Sequence, residues 1–205
     1  MTGVSIPKKI ETSQIMAYLR SATREEHESV EKRVDIESCS DDPVYYRLIL
    51  QRFLGFFQPV ERALLELDGL ADCLPDLTSR LRTGLLTYDL QVLGLSTQNV
   101  LDLPRCSQRP EIRSIGQAMG CLYVLEGSTL GGQMIVRRIY DRGLINRQAC
   151  HFFFSHGRDI GRMWRDFSQA AERYATAHPE EMETITASAK ETFRKLEAWL
   201  AINPT

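Results

Sequence analysis

Histidine is the residue type in this sequence with the widest chemical use, because a neutral imidazole can ligate a metal ion and can also carry a proton. The chain has four histidines, at positions 27, 151, 156 and 178. Only His27 lies inside a segment with clear helical periodicity, on the same stripe as its apolar residues. A histidine in such a position is more often a core residue than a ligand, although an imidazole that faces an apolar slot is also what an axial haem ligand requires.

Other catalytic and metal-binding patterns are missing from the sequence. Di-iron carboxylate bundles need Glu-x-x-His pairs, but the residues three before the four histidines are Arg24, Gln148, Phe153 and Ala175. There is also no G-x-S-x-G turn, no Walker loop and no dinucleotide-binding pattern after a strand. A di-iron site and these enzyme classes are therefore unsupported.

Glycine is concentrated in one segment, EIRSIGQAMGCLYVLEGSTLGGQMIVRRIYD, which runs from Glu111 to Asp141. Its apolar spacing predicts one long helix. Four of its five glycines share a stripe of that helix with Tyr123 and Met134; they are Gly116, Gly120, Gly127 and Gly131. Each mid-helix glycine costs about 1 kcal/mol relative to alanine. Either another backbone packs closely against this stripe, or a flat ligand lies on the bare main chain and the helix bends around it.

Composition limits the class of protein. The 205 residues are 43% hydrophobic and carry a net charge of −2, which indicates one domain with a substantial core and argues against a nucleic-acid binder. No apolar run is long enough for a transmembrane helix, and the first residues lack the apolar region of a secretory signal. The five cysteines are scattered without a C-x-x-C pair. We therefore predict a cytoplasmic protein with reduced thiols and no membrane partner.

The elements that would position these residues are all predicted to be helices. Residues 1–12 are predicted to be flexible and residues 13–201 to form a single all-α domain. Capped by Thr12 or Ser13, a first helix is predicted to run to about Val34, with His27 on its inner stripe. Asp42-Pro43 predicts the start of a second helix that reaches about residue 67 and is kinked at Pro59.

The remaining boundaries follow from turn residues and apolar spacing. A third helix is predicted over residues 77–88, followed by an irregular connection over 94–110. The glycine-rich helix is expected to end near Gly143, and residues 144–156 to form a loop tucked under the core. Two more helices are predicted, one from Ile160 to the His178-Pro179 break and one over residues 182–200.

Three segments of the chain resemble haem oxygenases, most closely the bacterial branch associated with phytochrome photoreceptors. LRSATREEHESVEKR (Leu19 to Arg33) is similar to the proximal helix of that family, in which the histidine ligates iron. YVLEGSTLGGQMI (Tyr123 to Ile135) resembles the distal-helix motif, and ETFRKLEAWL (Glu191 to Leu200) resembles the last helix. The resemblance implies an all-helical fold that holds haem between a proximal helix and a kinked distal helix. It also implies oxidative cleavage of haem to biliverdin with O2, releasing carbon monoxide and ferrous iron.

Roles for individual residues follow from the same resemblance. His27 would be the proximal iron ligand, and the distal face over the haem would consist of Gly127, Gly131 and Gly132. Basic or hydroxyl groups would meet the haem propionates; Arg20, Tyr123 and Arg165 match such positions, although a solvated surface charge is the alternative for each arginine.

One departure from the family pattern concerns the distal face. Mammalian haem oxygenases have an aspartate one residue after the first distal glycine, whereas this chain has Ser128. A hydroxyl can support a water network but is not a carboxylate, so a variant pocket with a water-based proton relay is expected. Glu126 lies about 100° around the helix from Gly127 and is expected to be structural.

Three functions stay open at this point. The first is haem cleavage, which supplies biliverdin to a phytochrome or releases iron. The second is a haem carrier or sensor that has lost catalysis through the Ser128 change, and the third is a thiamin-metabolising or quinone-cofactor relative of the same architecture. An oxygenase without a flavin or nicotinamide motif needs a separate reductant such as a ferredoxin or flavodoxin, for which Arg137, Arg138 and Arg142 form a candidate docking patch.

Overall fold

The computed structural model describes residues 14–201, which form α-helices, short 3-10 turns and connecting loops, with no strand among them. The α-helices in chain order are α1 (Gln14–Ala22), α2 (Arg24–Glu31), α3 (Ile36–Asp41), α4 (Pro43–Leu65), α5 (Leu70–Cys73), α6 (Leu77–Arg80), α7 (Thr83–Val92), α8 (Thr97–Asp102), α9 (Ile115–Arg142), α10 (His151–Phe154), α11 (Ile160–Ala177) and α12 (Met182–Leu200). The prediction of an all-α fold is confirmed. The predicted flexible segment 1–12 and the caps at Thr12 and Ser13 lie outside the described residues.

The first predicted helix is divided in two. Thr23 leaves the helical conformation at φ −108° and ψ 12° and separates α1 from α2. Its hydroxyl donates to the Leu19 carbonyl at 2.8 Å, the type of local bond by which threonine competes with regular helix geometry. The prediction of one continuous helix to Val34 is therefore wrong, because the helix is broken at Thr23 and α2 ends at Glu31, three residues before Val34. His27 lies in α2, one turn after this break.

The start of α4 is confirmed. Asp42 accepts hydrogen bonds from the backbone N–H groups of Val44 and Tyr45, and Pro43 occupies the first helical position. The helix continues through Pro59 to Leu65. A short helix that was not predicted, α3, precedes it and is capped by Asp35.

The region between α4 and α9 contains more helix than predicted. The predicted third helix is interrupted after Arg80, and the Glu61 carboxylate on α4 caps α7 by accepting from the backbone N–H groups of Arg82 and Thr83. The connection predicted to be irregular contains α8, which begins with a capping box between Ser96 and Asn99. Both predictions were wrong because side chains supplied caps at these helix ends.

The prediction for the second half of the chain is largely confirmed. The glycine-rich segment is one helix, α9, capped by Ser114 and ended by Gly143 at φ 70°. Helices α11 and α12 begin and end close to the predicted residues. The predicted loop over 144–156 contains the one-turn helix α10, whose first N–H groups bond to the carboxylate of Asp89.

One hydrophobic core joins these helices. It centres on α4 and α9, with Tyr46, Phe57 and Phe167 fully buried, and residues of α1, α7, α10, α11 and α12 complete it. The most extensive helix contact is between α9 and α12, and α2 also packs on α12. The last helix therefore serves as a common support for the histidine-bearing and glycine-rich helices.

Candidate functional site

The glycine stripe of α9 serves two purposes along its length. A Cβ atom added to Gly120 would lie 2.2 Å from the Ile185 carbonyl oxygen of α12. One added to Gly116 would lie 2.0 Å from a carboxylate oxygen of Glu181. Gly120 therefore permits the close backbone approach of α9 and α12, whereas Gly116 leaves room for the end of the Glu181 side chain. The helix-packing explanation therefore holds for the first half of α9.

The second half of the stripe faces open space. No atom outside the local helix lies within 4 Å of a Cβ placed on Gly131, and the nearest atom to one on Gly127 is a ring carbon of Trp164 at 3.8 Å. Leu130 and Met134 on the same part of α9 are 46% and 59% exposed. An exposed apolar helix surface that includes bare main chain fits a flat apolar group such as a porphyrin. We call Gly127, Leu130, Gly131 and Met134 the open face of α9.

Gly132 belongs to a different surface. It is buried, and a Cβ there would lie 2.7 Å from the Phe153 carbonyl oxygen of α10. Gln133 next to it donates from its side-chain amide to the Phe153 and Phe154 carbonyls. Gly132 was predicted to lie on the distal face, but the structure places it where α9 rests on α10.

His27 is exposed instead of lying in the core. Its side chain is 55% accessible, and α2 has no fully buried residue. Nδ1 lies 3.5 Å from a carboxylate oxygen of Glu31, and the ring meets Phe193 of α12 edge-on at 5.6 Å. A carboxylate beside one ring nitrogen orients the imidazole and leaves the other nitrogen, Nε2, for a metal. The stripe position was predicted, but the imidazole borders open space because α2 packs on α12 at the edge of the fold.

Tyr123 connects α9 to the break between α1 and α2. Burial raises the pKa of its hydroxyl, while a hydrogen bond with Thr23 and the charge of Arg20 act in the opposite direction. The backbone N–H of His27 donates to the Thr23 carbonyl at 3.0 Å. On the other side, the Tyr123 ring is 6.1 Å from that of Trp164. Tyr123 therefore lies close both to the Thr23 turn that precedes His27 and to the ring of Trp164 beside Gly127.

The two arginines predicted near the pocket edge, Arg20 and Arg165, are exposed. Neither forms an ion pair with a carboxylate of residues 14–201, whereas Arg162, on the same helix as Arg165, lies within 3.4 Å of both Asp159 and Asp166. The charge of Arg20 is close enough to Tyr123 to act on the pKa of its hydroxyl. Arg165 directly follows Trp164 in the sequence. Both guanidinium groups are available to a negatively charged group.

Behind α9 lies a buried polar layer. The Ser128 hydroxyl accepts a 2.8 Å hydrogen bond from Nη2 of the buried Arg82. Glu126 points into the protein and pairs with Arg80 at 2.9 Å. Burial raises the pKa of Glu126, against the lowering effect of Arg80 and Arg82. Glu126 is therefore structural, as predicted.

Other charged and histidine side chains have local partners. His151 lies 3.1 Å from the buried Asp89, and His178 lies 3.5 Å from Glu180. In the predicted docking patch, Arg138 and Arg142 pair with Glu37 and Asp41 of α3, at 3.4 and 3.2 Å. Arg137 is exposed and forms no ion pair with a described carboxylate.

Two shallow depressions on the outer face of α12 are less suitable for a porphyrin. Their lining includes the carboxylates of Glu180, Glu183 and Glu191. Those carboxylates would repel the negatively charged propionates of a haem. The open face of α9 carries no carboxylate and combines bare main chain with exposed apolar side chains.

Sequence reasoning missed four contributors to this region, namely Glu31, Arg82, Trp164 and Phe193. Only Glu31 had a usable signal, because a carboxylate four residues after a histidine on a helix lies on the same face. Nothing in the sequence places Trp164 beside Gly127 or connects Arg82 to Ser128. These contacts depend on how helices distant in sequence pack together.

Comparison with known proteins identifies the relatives of this arrangement. A family model described as heme oxygenase matches residues 13–201. The structure is similar to that of haem oxygenase from Leptospira interrogans, with a TM-score of 0.70 and 17% identity over 91% of this chain and 98% of the other. It is also similar to the NO- and CO-bound haem oxygenase from Neisseria meningitidis, with a TM-score of 0.65 and 20% identity over 91% and 89% of the two chains. None of the curated protein sequences matches the chain significantly.

The length and hydropathy of each helix determine whether it could cross a membrane. Within residues 14–201, no helix is both long and apolar enough to cross a membrane.

Proposed function

Because this chain belongs to the haem oxygenase family and is an enzyme of that class, we propose that it cleaves haem to biliverdin and releases carbon monoxide and ferrous iron. The observation that carries the proposal is the open face of α9 together with the exposed His27, whose Nδ1 lies 3.5 Å from a carboxylate oxygen of Glu31. A flat apolar molecule with one metal centre is the ligand that suits this combination.

The residues divide the work of holding haem. When bound, haem supplies the iron that activates O2, and its own porphyrin edge is the substrate. His27 would hold the iron through Nε2, with Glu31 orienting the ring through Nδ1. Gly127 and Gly131 leave room on the distal side for oxygen, and the Ser128 hydroxyl beside them can hold water for proton delivery.

Arg20 and Arg165 are proposed to bind the haem propionates, with the Tyr123 hydroxyl contributing nearby. Substitution of either arginine by glutamine is expected to weaken hemin binding by about two- to fivefold, the range for exposed ion pairs. Dissociation constants from hemin titrations of R20Q and R165Q would measure this. Arg162→Gln is the matched control, since Arg162 already pairs with Asp159 and Asp166. Equal affinities in R165Q, R20Q and the control would contradict the assignment.

The reductant that the family requires is proposed to be an acidic ferredoxin or flavodoxin that docks near Arg137, Arg138 and Arg142. Because Arg138 and Arg142 are paired with α3 carboxylates, Arg137 is expected to contribute most of the unpaired charge. Arg137→Glu is expected to slow reduction of the haem complex several-fold at low salt and to have little effect at high salt. Stopped-flow reduction by ferredoxin would measure this, and an unchanged rate at low salt would refute the patch.

The function is tested by titrating the protein with hemin and then adding ferredoxin, its reductase and NADPH under air. A one-to-one complex whose Soret band is replaced by a red-absorbing bilin, with biliverdin identified by chromatography and carbon monoxide trapped by ferrous myoglobin, is the expected result. Stable haem binding without cleavage would instead support the carrier or sensor. The carrier or sensor alternative is based on Ser128, which occupies the position where mammalian relatives carry a carboxylate.

Two further parts of the proposal concern cellular role. One proposed role is the supply of biliverdin to a phytochrome, which rests on the resemblance of the segment YVLEGSTLGGQMI to phytochrome-associated relatives. The other proposed role is the release of iron. A cytoplasmic location is supported by the five cysteines, all of which are free thiols.

A further inference from the structure

Arg82 is a buried cation in an aromatic setting. Its residue is only 2% exposed, and its guanidinium carbon lies 4.8 Å from the ring centre of Phe57 and 5.0 Å from that of Phe152. Arginine keeps its proton in proteins, although burial lowers the pKa of Arg82 while Glu126 and Glu61 raise it. A full positive charge is therefore held directly behind the distal helix.

The charges of Glu126 and Glu61 act on Arg82, but neither carboxylate pairs directly with its guanidinium. Among residues 14–201, no carboxylate forms an ion pair with the Arg82 guanidinium. Glu61 is occupied by the backbone N–H groups of Arg82 and Thr83, at 2.7 and 3.0 Å, and Glu126 pairs with Arg80 at 2.9 Å. The guanidinium instead donates through Nη2 to the Leu125 carbonyl and to the Ser128 hydroxyl.

The hydrogen bonds from Arg82 to Leu125 and Ser128 determine which further bonds the Ser128 hydroxyl can form. The Ser128 hydroxyl accepts from Arg82 at 2.8 Å and donates to the Leu125 carbonyl at 2.7 Å. Because that carbonyl also accepts from Arg82, the hydroxyl hydrogen can rotate away without leaving the carbonyl unpaired. Ser128 is exposed and lies three residues before Gly131, its neighbour on the helix surface, so its hydroxyl can turn towards a ligand on the open face.

We propose that Arg82 is a positioning residue that fixes the Ser128 hydroxyl and, by donating a charged hydrogen bond to it, makes that hydroxyl a better donor to a small anionic ligand bound at the open face of α9. The proposal rests on the proposed function, because the anionic ligand would bind to haem held by His27. The proposal also explains what serine at position 128 would do in place of a carboxylate. A carboxylate would favour neutral or positive ligands, whereas a hydroxyl that accepts a hydrogen bond from Arg82 favours anionic ones.

The test compares an anionic with a neutral ligand. Azide would be titrated into the ferric haem complex and carbon monoxide into the ferrous complex, for the unmodified chain, Ser128→Ala, Ser128→Thr and Arg82→Met. We expect azide to bind about fivefold more weakly to S128A and about tenfold more weakly to R82M, from the strength of hydrogen bonds to charged groups. Carbon monoxide affinity should change less than twofold, and S128T, which keeps the hydroxyl, should bind azide like the unmodified chain.

Each outcome decides between definite alternatives. Equal weakening of azide and carbon monoxide would show that Arg82 only maintains structure and would overturn the proposal. If R82M does not fold, S128A and S128T decide it, and unchanged azide affinity in S128A overturns it. When all variants fold, the double variant R82M/S128A should lose no more than R82M alone, because one residue acts through the other. A chain that forms no one-to-one haem complex would overturn the proposed function as well, and the hemin spectrum distinguishes that case.

Discussion

Replacement of His27 by alanine is expected to reduce haem cleavage more than 100-fold while leaving the fold intact. The substitution removes the only side-chain nitrogen that α2 presents for iron. Because α2 has no fully buried residue, the free energy of unfolding should change by no more than about 0.5 kcal/mol. Soret and ligand-field absorption of the hemin complex, together with biliverdin formation, would measure the loss. Added imidazole should partly restore the ligated spectrum.

The matched control is His178→Ala. His178 is exposed to a similar degree and also lies 3.5 Å from a carboxylate, that of Glu180, but it follows α11. This variant should bind and cleave haem normally. Normal ligation and turnover in H27A would refute the assignment, and Glu31→Gln should weaken cleavage only several-fold because the glutamine can still hold the ring.

Substitutions of two glycines on the same stripe of α9 are expected to have opposite effects. Gly131→Leu should leave the apoprotein at least as stable as the unmodified chain, because its Cβ enters open space and leucine has a higher helix propensity by nearly 1 kcal/mol. Its side chain would extend over the proposed haem face, so haem cleavage should be lost. Gly120→Ala should instead destabilise the fold by about 3 kcal/mol, since its Cβ meets the Ile185 carbonyl oxygen at 2.2 Å.

Urea unfolding and single-turnover haem cleavage, measured on both variants, separate these effects. Gly84→Ala is the control for helix propensity, because a Cβ there also meets no neighbour within 4 Å and Gly84 belongs to a different helix, α7. Full activity in G131L would mean that haem does not lie on the open face. Unaltered stability in G120A would contradict the close contact of α9 with α12.

Much of the fold could be predicted from local sequence signals. The long apolar periodicity and Gly143 defined α9, and Asp42-Pro43 defined the start of α4. Both signals act within a few residues of where they occur. The capping pattern of Ser96 and Asn99 was also present in the sequence, but the polar composition around it favoured an irregular connection.

Features that arise from packing could not be predicted in the same way. The start of α7 depends on its contact with Glu61, which is distant in sequence. In the site, the stripe position of His27 and the surplus of glycine were readable. The division of the glycines into packing and open positions was not, because it depends on where α12 stops covering α9. Arg82 lacked any sequence signal for the same reason.

The most direct test of the central claim is a crystal structure of the protein with hemin bound. The account predicts iron bonded to Nε2 of His27 at about 2.0–2.2 Å, a typical metal–imidazole distance, with the porphyrin against Gly127 and Gly131. Haem bound elsewhere, for example on the outer face of α12, or iron held by a residue other than His27, would contradict it.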